Sequence, residues 1–335
     1  MITKILCITD GRPGNQRPAM LLAAEIAQNF QAEWSHVSVP KTPWRSLGNF
    51  LESWLLGVTK QQHQPLVTQL KSVSHDGLLI ITCGRTGLPY GRYLRRKYHA
   101  KLVHILNPYG GRKQFDAVVM PEHDRINGPN IVNYQVGLTT QPKADSAART
   151  FMQKFPEGPK LALVVGGTNA NQHISPQNIT AWRTAVKSLL PDLAGIAITF
   201  SRRTQNETKQ LVLEAFSDHL SCFYDGQGPN PYPGFLSLCS HAAVSTDSMN
   251  MVADVAASKC AMMLLPVTGS QPKFQPVLHK LVAQGRADHL AFGRNIAPWD
   301  ELPKVAQMVT SLLLGKHAHD QHENDGGVPP FGDPV

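Results

Sequence analysis

Ten short runs of β-branched and apolar residues, each five to seven residues long, alternate with helix-length segments through this chain. Strands that read as near-continuous apolar runs are buried on both faces, and parallel strands need a crossover of a dozen or more residues between them. The alternation therefore calls for parallel sheets covered by helices. The first set of strands is expected over 4–9, 34–39, 77–83, 101–106 and 116–120, with helices over 17–30, 43–58, 64–73 and 88–98. Past Gly137 the composition turns polar, and Pro142, Pro156 and Pro159 punctuate a segment with one expected helix, 144–155. The pattern then restarts. Strands are expected over 160–165, 195–200, 220–224, 241–245 and 260–265, separated by helices over 177–190, 207–216, 234–239 and 247–257. The expected fold class is α/β, with two Rossmann-like doubly wound domains facing a cleft. They would cover 1–155 and 156–316, the second closing with a helix over 299–314, and the polar tail 317–335 is expected to be disordered.

A chain of 335 residues suits two domains. An apolar share of 42% and glycines and prolines without period exclude disorder, collagen and coiled coil. Five scattered cysteines with no CxxC pair give neither a disulfide framework nor a zinc site, so a reducing cytoplasm is expected. There is no run of 18 apolar residues and no leader pattern, so any membrane association is expected to be peripheral, at the inner face.

The net charge of +8 is unevenly placed. Residues 1–150 hold 18 basic and 9 acidic side chains, whereas 151–335 hold 14 and 15. Between Arg85 and Lys113 stand eight Lys and Arg and no acid, a stretch that attracts phosphates, anionic lipid or nucleic acid, or else is simply a solvated helix face. Few interleaved aromatics and no recognisable module leave nucleic acid the weakest of these partners. An amphipathic stripe over 44–58, with Trp44 and Trp54, suits core packing, with an interfacial membrane layer as the alternative.

Candidate chemistry gathers at strand ends. Asp10-Gly11-Arg12-Pro13-Gly14-Asn15 joins the first strand to its helix, where free N–H groups and the helix dipole suit an anionic or hydroxylated ligand. It matches neither GxGxxG nor a Walker loop. Gly166-Gly167 ends one strand of the second half, and Ser201-Arg202-Arg203 ends another with a composition suited to diphosphate. Ser245-Thr246-Asp247-Ser248 closes a strand and is expected to cap the helix that opens near Met249, and to grip a pyrophosphate, with Asp254 two turns on accepting bonds from ribose hydroxyls. Glu122, His123 and Asp124 end a strand with three titratable groups and, with Asp10, are candidates for a general base. The same residues also suit plain turns and caps. No metal-binding pattern is present.

In these motifs the chain resembles the bacterial branch of the elongated-mitochondria fission family. The resemblance rests on Asp10 to Gln16, Thr82 to Arg85, Phe115 to Asp124, Gly166-Gly167, Ser201 to Thr204, Asn230-Pro-Tyr232-Pro-Gly234 and Thr246 to Met251. That family is similar in fold to GT-B glycosyltransferases. The resemblance implies that Thr246, Asp247 and Ser248 hold diphosphate and Asp254 the ribose, with Asp254 shorter than the usual Glu and Lys259-Cys260 replacing the usual Gly-Pro. It adds Arg85, Asn230, Tyr232 and Met249 to the substrate-binding candidates. The expected activity is a metal-independent, cofactor-free transfer of sugar from a nucleotide-diphosphate donor to a cell-envelope or lipid-linked acceptor drawn to the basic stretch. The alternatives are a nucleotide-sugar epimerase of the same fold and a non-catalytic scaffold at a membrane.

Overall fold

The computed structural model describes residues 1–41, 76–224, 227–294 and 297–315. The expected helices 43–58 and 64–73, the tryptophan stripe and the tail 317–335 lie outside the described residues. Two compact units result. The first holds Met1–Met120 and Ile126–Asn133 and regains the chain at Pro303, and the second holds Pro121–Arg125 and Tyr134–Leu302. No helix among the described residues is long and apolar enough to cross a membrane.

In the first unit, strands β1 (Lys4–Thr9), β2 (Glu33–Ser38), β3 (Leu78–Cys83), β4 (Lys101–Ile105), β5 (Ala117–Pro121) and β6 (Ile131–Tyr134) form a sheet in the order β2-β1-β3-β4-β5-β6. The pairs from β2 through β5 are parallel, as the apolar runs require. Helix α1 (Pro13–Phe30) starts four residues before its expected position, because Pro13 at the first turn has no N–H to leave unsatisfied. Helix α2 (Gly84–Tyr98) also starts early, and lies close on the sheet: a Cβ at Gly87 would stand 2.4 Å from the Ile8 carbonyl and one at Gly91 2.6 Å from Thr82 Cγ2. These glycines, one turn apart, give the helix a flat face without which it would ride higher.

The second unit repeats the scheme. Its elements are α3 (Ser146–Met152), β7 (Lys160–Val165), β8 (Gln172–His173), α4 (Pro176–Lys187), β9 (Gly195–Phe200), α5 (Asn206–Ala215), β10 (Ser221–Phe223), α6 (Tyr232–Leu238), β11 (His241–Ser245), α7 (Met249–Ala256), β12 (Ala261–Leu265), β13 (Thr268–Gly269), α8 (Gln275–Ala283) and β14 (Ala287–His289). The large sheet runs β10-β9-β7-β11-β12-β14 with parallel pairing throughout, while β8 and β13 make a separate small ribbon. Apolar side chains cover both of its faces. Phe151, Phe235, Val252 and Leu278 lie in the cluster with Ala162, Val164 and Leu264, and Trp182, Val186 and Phe216 in the cluster with Leu161, Leu163 and Val165. Trp182 is fully enclosed and its indole N–H donates to the Pro266 carbonyl at 2.9 Å, so its large apolar surface is buried without stranding its one donor.

The main crossing between units lies at Asn133 and Tyr134, earlier than the proline-rich segment that marks it in the sequence. Those prolines punctuate chain that packs into the second core: Asp145 caps α3, and Phe151, Met152 and Phe155 are buried there. The last helix, α9 (Leu302–Leu313), belongs with the first unit from Pro303 onward, where Asn29 donates to Thr310 Oγ1 at 3.2 Å.

Candidate functional site

In an open parallel sheet, a crevice forms beyond the carboxyl ends of the strands where the strand order reverses. In the second unit that point lies between β7 and β11, since β9 and β10 follow β7 on one side and β12 and β14 follow β11 on the other. Gly166-Gly167 leaves β7 and Thr246-Asp247-Ser248 leaves β11, so both expected clusters meet there.

Asp247 binds the edge together. Its side chain is completely enclosed, one carboxylate oxygen accepting the Gly167 N–H at 2.9 Å and the other the Ser245 hydroxyl at 2.7 Å. The Ser245 oxygen in turn accepts the Gly166 N–H at 2.7 Å. Arg203, from the turn after β9, donates to the same carboxylate at 3.4 Å and supplies its counter-charge. The turn after β9 is locked as well, with Ser201 Oγ 3.1 Å from Thr204 Oγ1 and accepting the Arg203 N–H at 3.1 Å. Arg202 in this turn is exposed. Three strand ends are thus drawn to one carboxylate.

The expected cap on α7 does not form. Neither Asp247 nor Ser248 caps α7: Asp247 turns inward beneath the strand ends, where it accepts the Gly167 N–H after β7 and the Ser245 hydroxyl on β11 and pairs with Arg203, and Ser248 makes no side-chain cap bond. Thr246 is buried, its backbone N–H on the Leu265 carbonyl at 3.1 Å. The first turn of α7, opening at Met249, carries no acidic residue and keeps its positive end uncapped.

Asp254 is half-buried two turns into α7. Its carboxylate accepts the Thr139 hydroxyl at 3.0 Å and the Tyr232 phenol at 3.1 Å, while Asn230 accepts the Tyr232 N–H at 3.0 Å. Asn230, Tyr232 and Asp254 are therefore joined in one network. Ser245, which the sequence places at the head of the strand-end turn, belongs to the site, and so does Thr139, which lies 115 positions from Asp254 and carries no sequence signal. Farther along the sheet, β10 flanks a cavity of about 400 Å³ lined in part by Phe151, Lys154, Phe223, Tyr224 and Gln227.

The first unit reverses its strand order between β1 and β3. Asp10 accepts the Asn15 side-chain amide at 3.1 Å and the Arg12 N–H at 3.2 Å, and the Arg12 guanidinium stands 3.6 Å away. The Gly11 N–H goes to Thr9 Oγ1, which meets His36 Nε2 at 2.8 Å. Gly14 lies in the first turn of α1 and Arg85 in the first turn of α2.

Glu122, His123 and Asp124 form a single 3-10 turn that belongs to the second unit. The His123 ring meets Phe274 edge-on at 5.6 Å, with Nδ1 buried and unpartnered and Nε2 3.9 Å from Asp124 Oδ1. Burial lowers its pKa, Asp124 opposes the shift and Lys273 adds to it, so the imidazole is neutral near neutral pH. Glu122 faces Lys280 Nζ at 3.7 Å. Among the described residues no group of His, Cys, Asp or Glu is arranged to hold a metal ion.

The fold is similar to that of two solved enzymes. UDP-GlcNAc 2-epimerase from Methanocaldococcus jannaschii is 10% identical with a TM-score of 0.52, covering 94% of this chain and 93% of that one. The Neisseria meningitidis enzyme of the same name, solved with UDP-GlcNAc bound, is 12% identical with a TM-score of 0.50, covering 94% and 100%. The likeness is one of fold, two Rossmann-like units of the GT-B type. In sequence, the chain is 24% identical to the uncharacterized protein RP120 of Rickettsia prowazekii (strain Madrid E), over 92% of this chain and 98% of that one. It is 21% identical to the Arabidopsis thaliana mitochondrial fission protein ELM1, over 62% of this chain and about half, 54%, of the plant protein. A family model described as mitochondrial fission ELM1 matches residues 13–313, and the chain belongs to that family.

Proposed function

We propose that the second unit binds a nucleotide-diphosphate sugar and that the protein transfers the sugar to a cell-envelope or lipid-linked acceptor. The observation that carries this reading is the Asp247 clamp, which draws the turns after β7, β9 and β11 together and leaves the start of α7 uncapped beside them. Such an edge offers a diphosphate the helix-end amides, the Ser248 hydroxyl and the guanidinium groups of Arg202 and Arg203. These groups would stabilise the charge that develops on the departing diphosphate without a metal ion. Asp254, whose carboxylate is oriented by Tyr232 and Thr139, would accept a hydrogen bond from a ribose hydroxyl. His123, neutral and beside Asp124, has the protonation state a base needs to take the acceptor's proton.

Calorimetric titration with uridine and guanosine diphosphates tests the donor site. Arg202→Ala and Ser248→Ala are each expected to weaken binding about tenfold, the loss of one charge-assisted hydrogen bond. Unchanged affinity in both would remove the assignment. Epimerisation is the second reading, supported by the two epimerases of similar fold. Incubating UDP-GlcNAc without an acceptor and looking for the 2-epimer separates it from transfer.

A further inference from the structure

The acid-free stretch between Arg85 and Lys113 divides when it folds. Arg92 turns inward: it is 3% exposed, stands over the Phe115 ring at 5.3 Å and donates to the Gly110 carbonyl at 2.8 Å. Arg85 lies in the first turn of α2, away from the rest. The other six collect at one end of the first unit. Arg95, Arg96 and Lys97 fill the last turn of α2, Lys101 opens β4, and Arg112 and Lys113 form the turn that precedes β5. Asp116 joins these three segments. Its N–H donates to the Leu102 carbonyl at 2.9 Å, and its carboxylate accepts the Leu102 N–H at 2.8 Å, pairs with Arg95 and stands 3.0 Å from Lys101. It is the one acid between Arg85 and Asp116 and is 12% exposed, whereas Arg96, Lys97, Arg112 and Lys113 are exposed.

Basic residues in the last turn of α2 also complement the helix dipole, but Arg112 and Lys113 have no such role. The remaining feature is aromatic. Arg92 lies one turn before Arg95 and Arg96 and holds the loop tip at Gly110, next to Tyr109, which is 77% exposed. Tyrosine at the edge of a basic cluster suits the headgroup layer of a bilayer. Nucleic acid is less well matched, because Lys97 already stands over one face of the Tyr93 ring at 5.7 Å and of the Tyr98 ring at 5.0 Å, where a base would stack.

We infer that this end of the first unit docks on an anionic lipid surface, with Arg96, Lys97, Arg112 and Lys113 against the headgroups and Tyr109 in the interfacial layer. The inference is independent of the nucleotide reading, and a chain that binds no nucleotide would still show it. Vesicle co-sedimentation tests it, using phosphatidylcholine alone and phosphatidylcholine with about one-third phosphatidylglycerol. The full chain is expected to sediment with the anionic vesicles at low salt, less so as salt rises, and not with neutral ones. Each of Arg96→Ala, Lys97→Ala, Arg112→Ala and Lys113→Ala should weaken partition about fivefold, and the four together more than about a hundredfold. Lys154→Ala, in the second unit, should change nothing. If the fourfold variant fails to fold, the single variants decide. Equal sedimentation with neutral vesicles, wild-type partition of the variants, or tight binding to single-stranded RNA without vesicle binding would overturn the inference.

Discussion

Asp247 occupies the space that a side chain at residue 166 would need: a Cβ on Gly166 would stand 2.0 Å from Asp247 Oδ1. The glycine and the carboxylate are two halves of one arrangement. Gly166→Ala is expected to push Asp247 off its hydrogen bonds, and Asp247→Ala to strand the Gly167 N–H and the Ser245 hydroxyl. Either should cost about 2–4 kcal/mol of stability in urea unfolding. A loss below about half a kcal/mol in both variants would show that the clamp does not hold the edge.

Ser248 separates capping from ligand binding. Replacing a capping serine with alanine ordinarily costs about 1 kcal/mol. Because Ser248 makes no side-chain cap bond, Ser248→Ala should leave the melting temperature essentially unchanged while lowering nucleotide affinity. A melting temperature that drops with affinity intact would reverse its role.

His104 gives a pH dependence of known sign. It is fully buried with Nδ1 2.7 Å from Thr82 Oγ1, and burial, with Arg92 adding to it, moves its pKa from 6.5 down to about 3. Between those values the unfolded chain takes up a proton that the folded chain refuses. Stability should therefore fall as pH drops below 6.5, by about 1.4 kcal/mol per pH unit from this group, and be unaffected by it above. Urea midpoints near neutral pH and about two units below should differ less in His104→Gln than in the wild type.

The thiols should react unequally. Cys7, Cys83, Cys239 and Cys260 are buried, and burial pushes all four upward, Cys7 to about 12 and Cys260 to about 11. Cys222, half-exposed on β10, is expected to take iodoacetamide first in the native protein. Cys222→Ser should abolish native labelling, as peptide mass mapping would show.

Strand positions were largely legible because buried parallel strands write themselves as apolar runs: 4–9, 160–165, 195–200 and 241–245 coincide with β1, β7, β9 and β11. β6 and α8 leave no such signal, being a short strand of mixed polarity and a helix with Pro272 just before it and Pro276 in its first turn. Of the candidate site, the strand-end glycines and the residues after β11 were readable as turn chemistry. The direction of the Asp247 side chain was not, since local sequence offers capping and the tertiary fold offers β7 instead. The pairing of Asp254 with Thr139 depends on how distant segments pack, which no spacing encodes.

Glu301 has a practical consequence. Its carboxylate accepts the N–H groups of Gln135 and Val136 at 2.6 Å each and of Gly137 at 3.1 Å, so the start of the second unit's long segment is fastened to its end. A gene fragment cut just outside 134 and 302 would encode a polypeptide whose two loose termini are already stapled by its own side chain, a ready starting point for excision or circular rejoining.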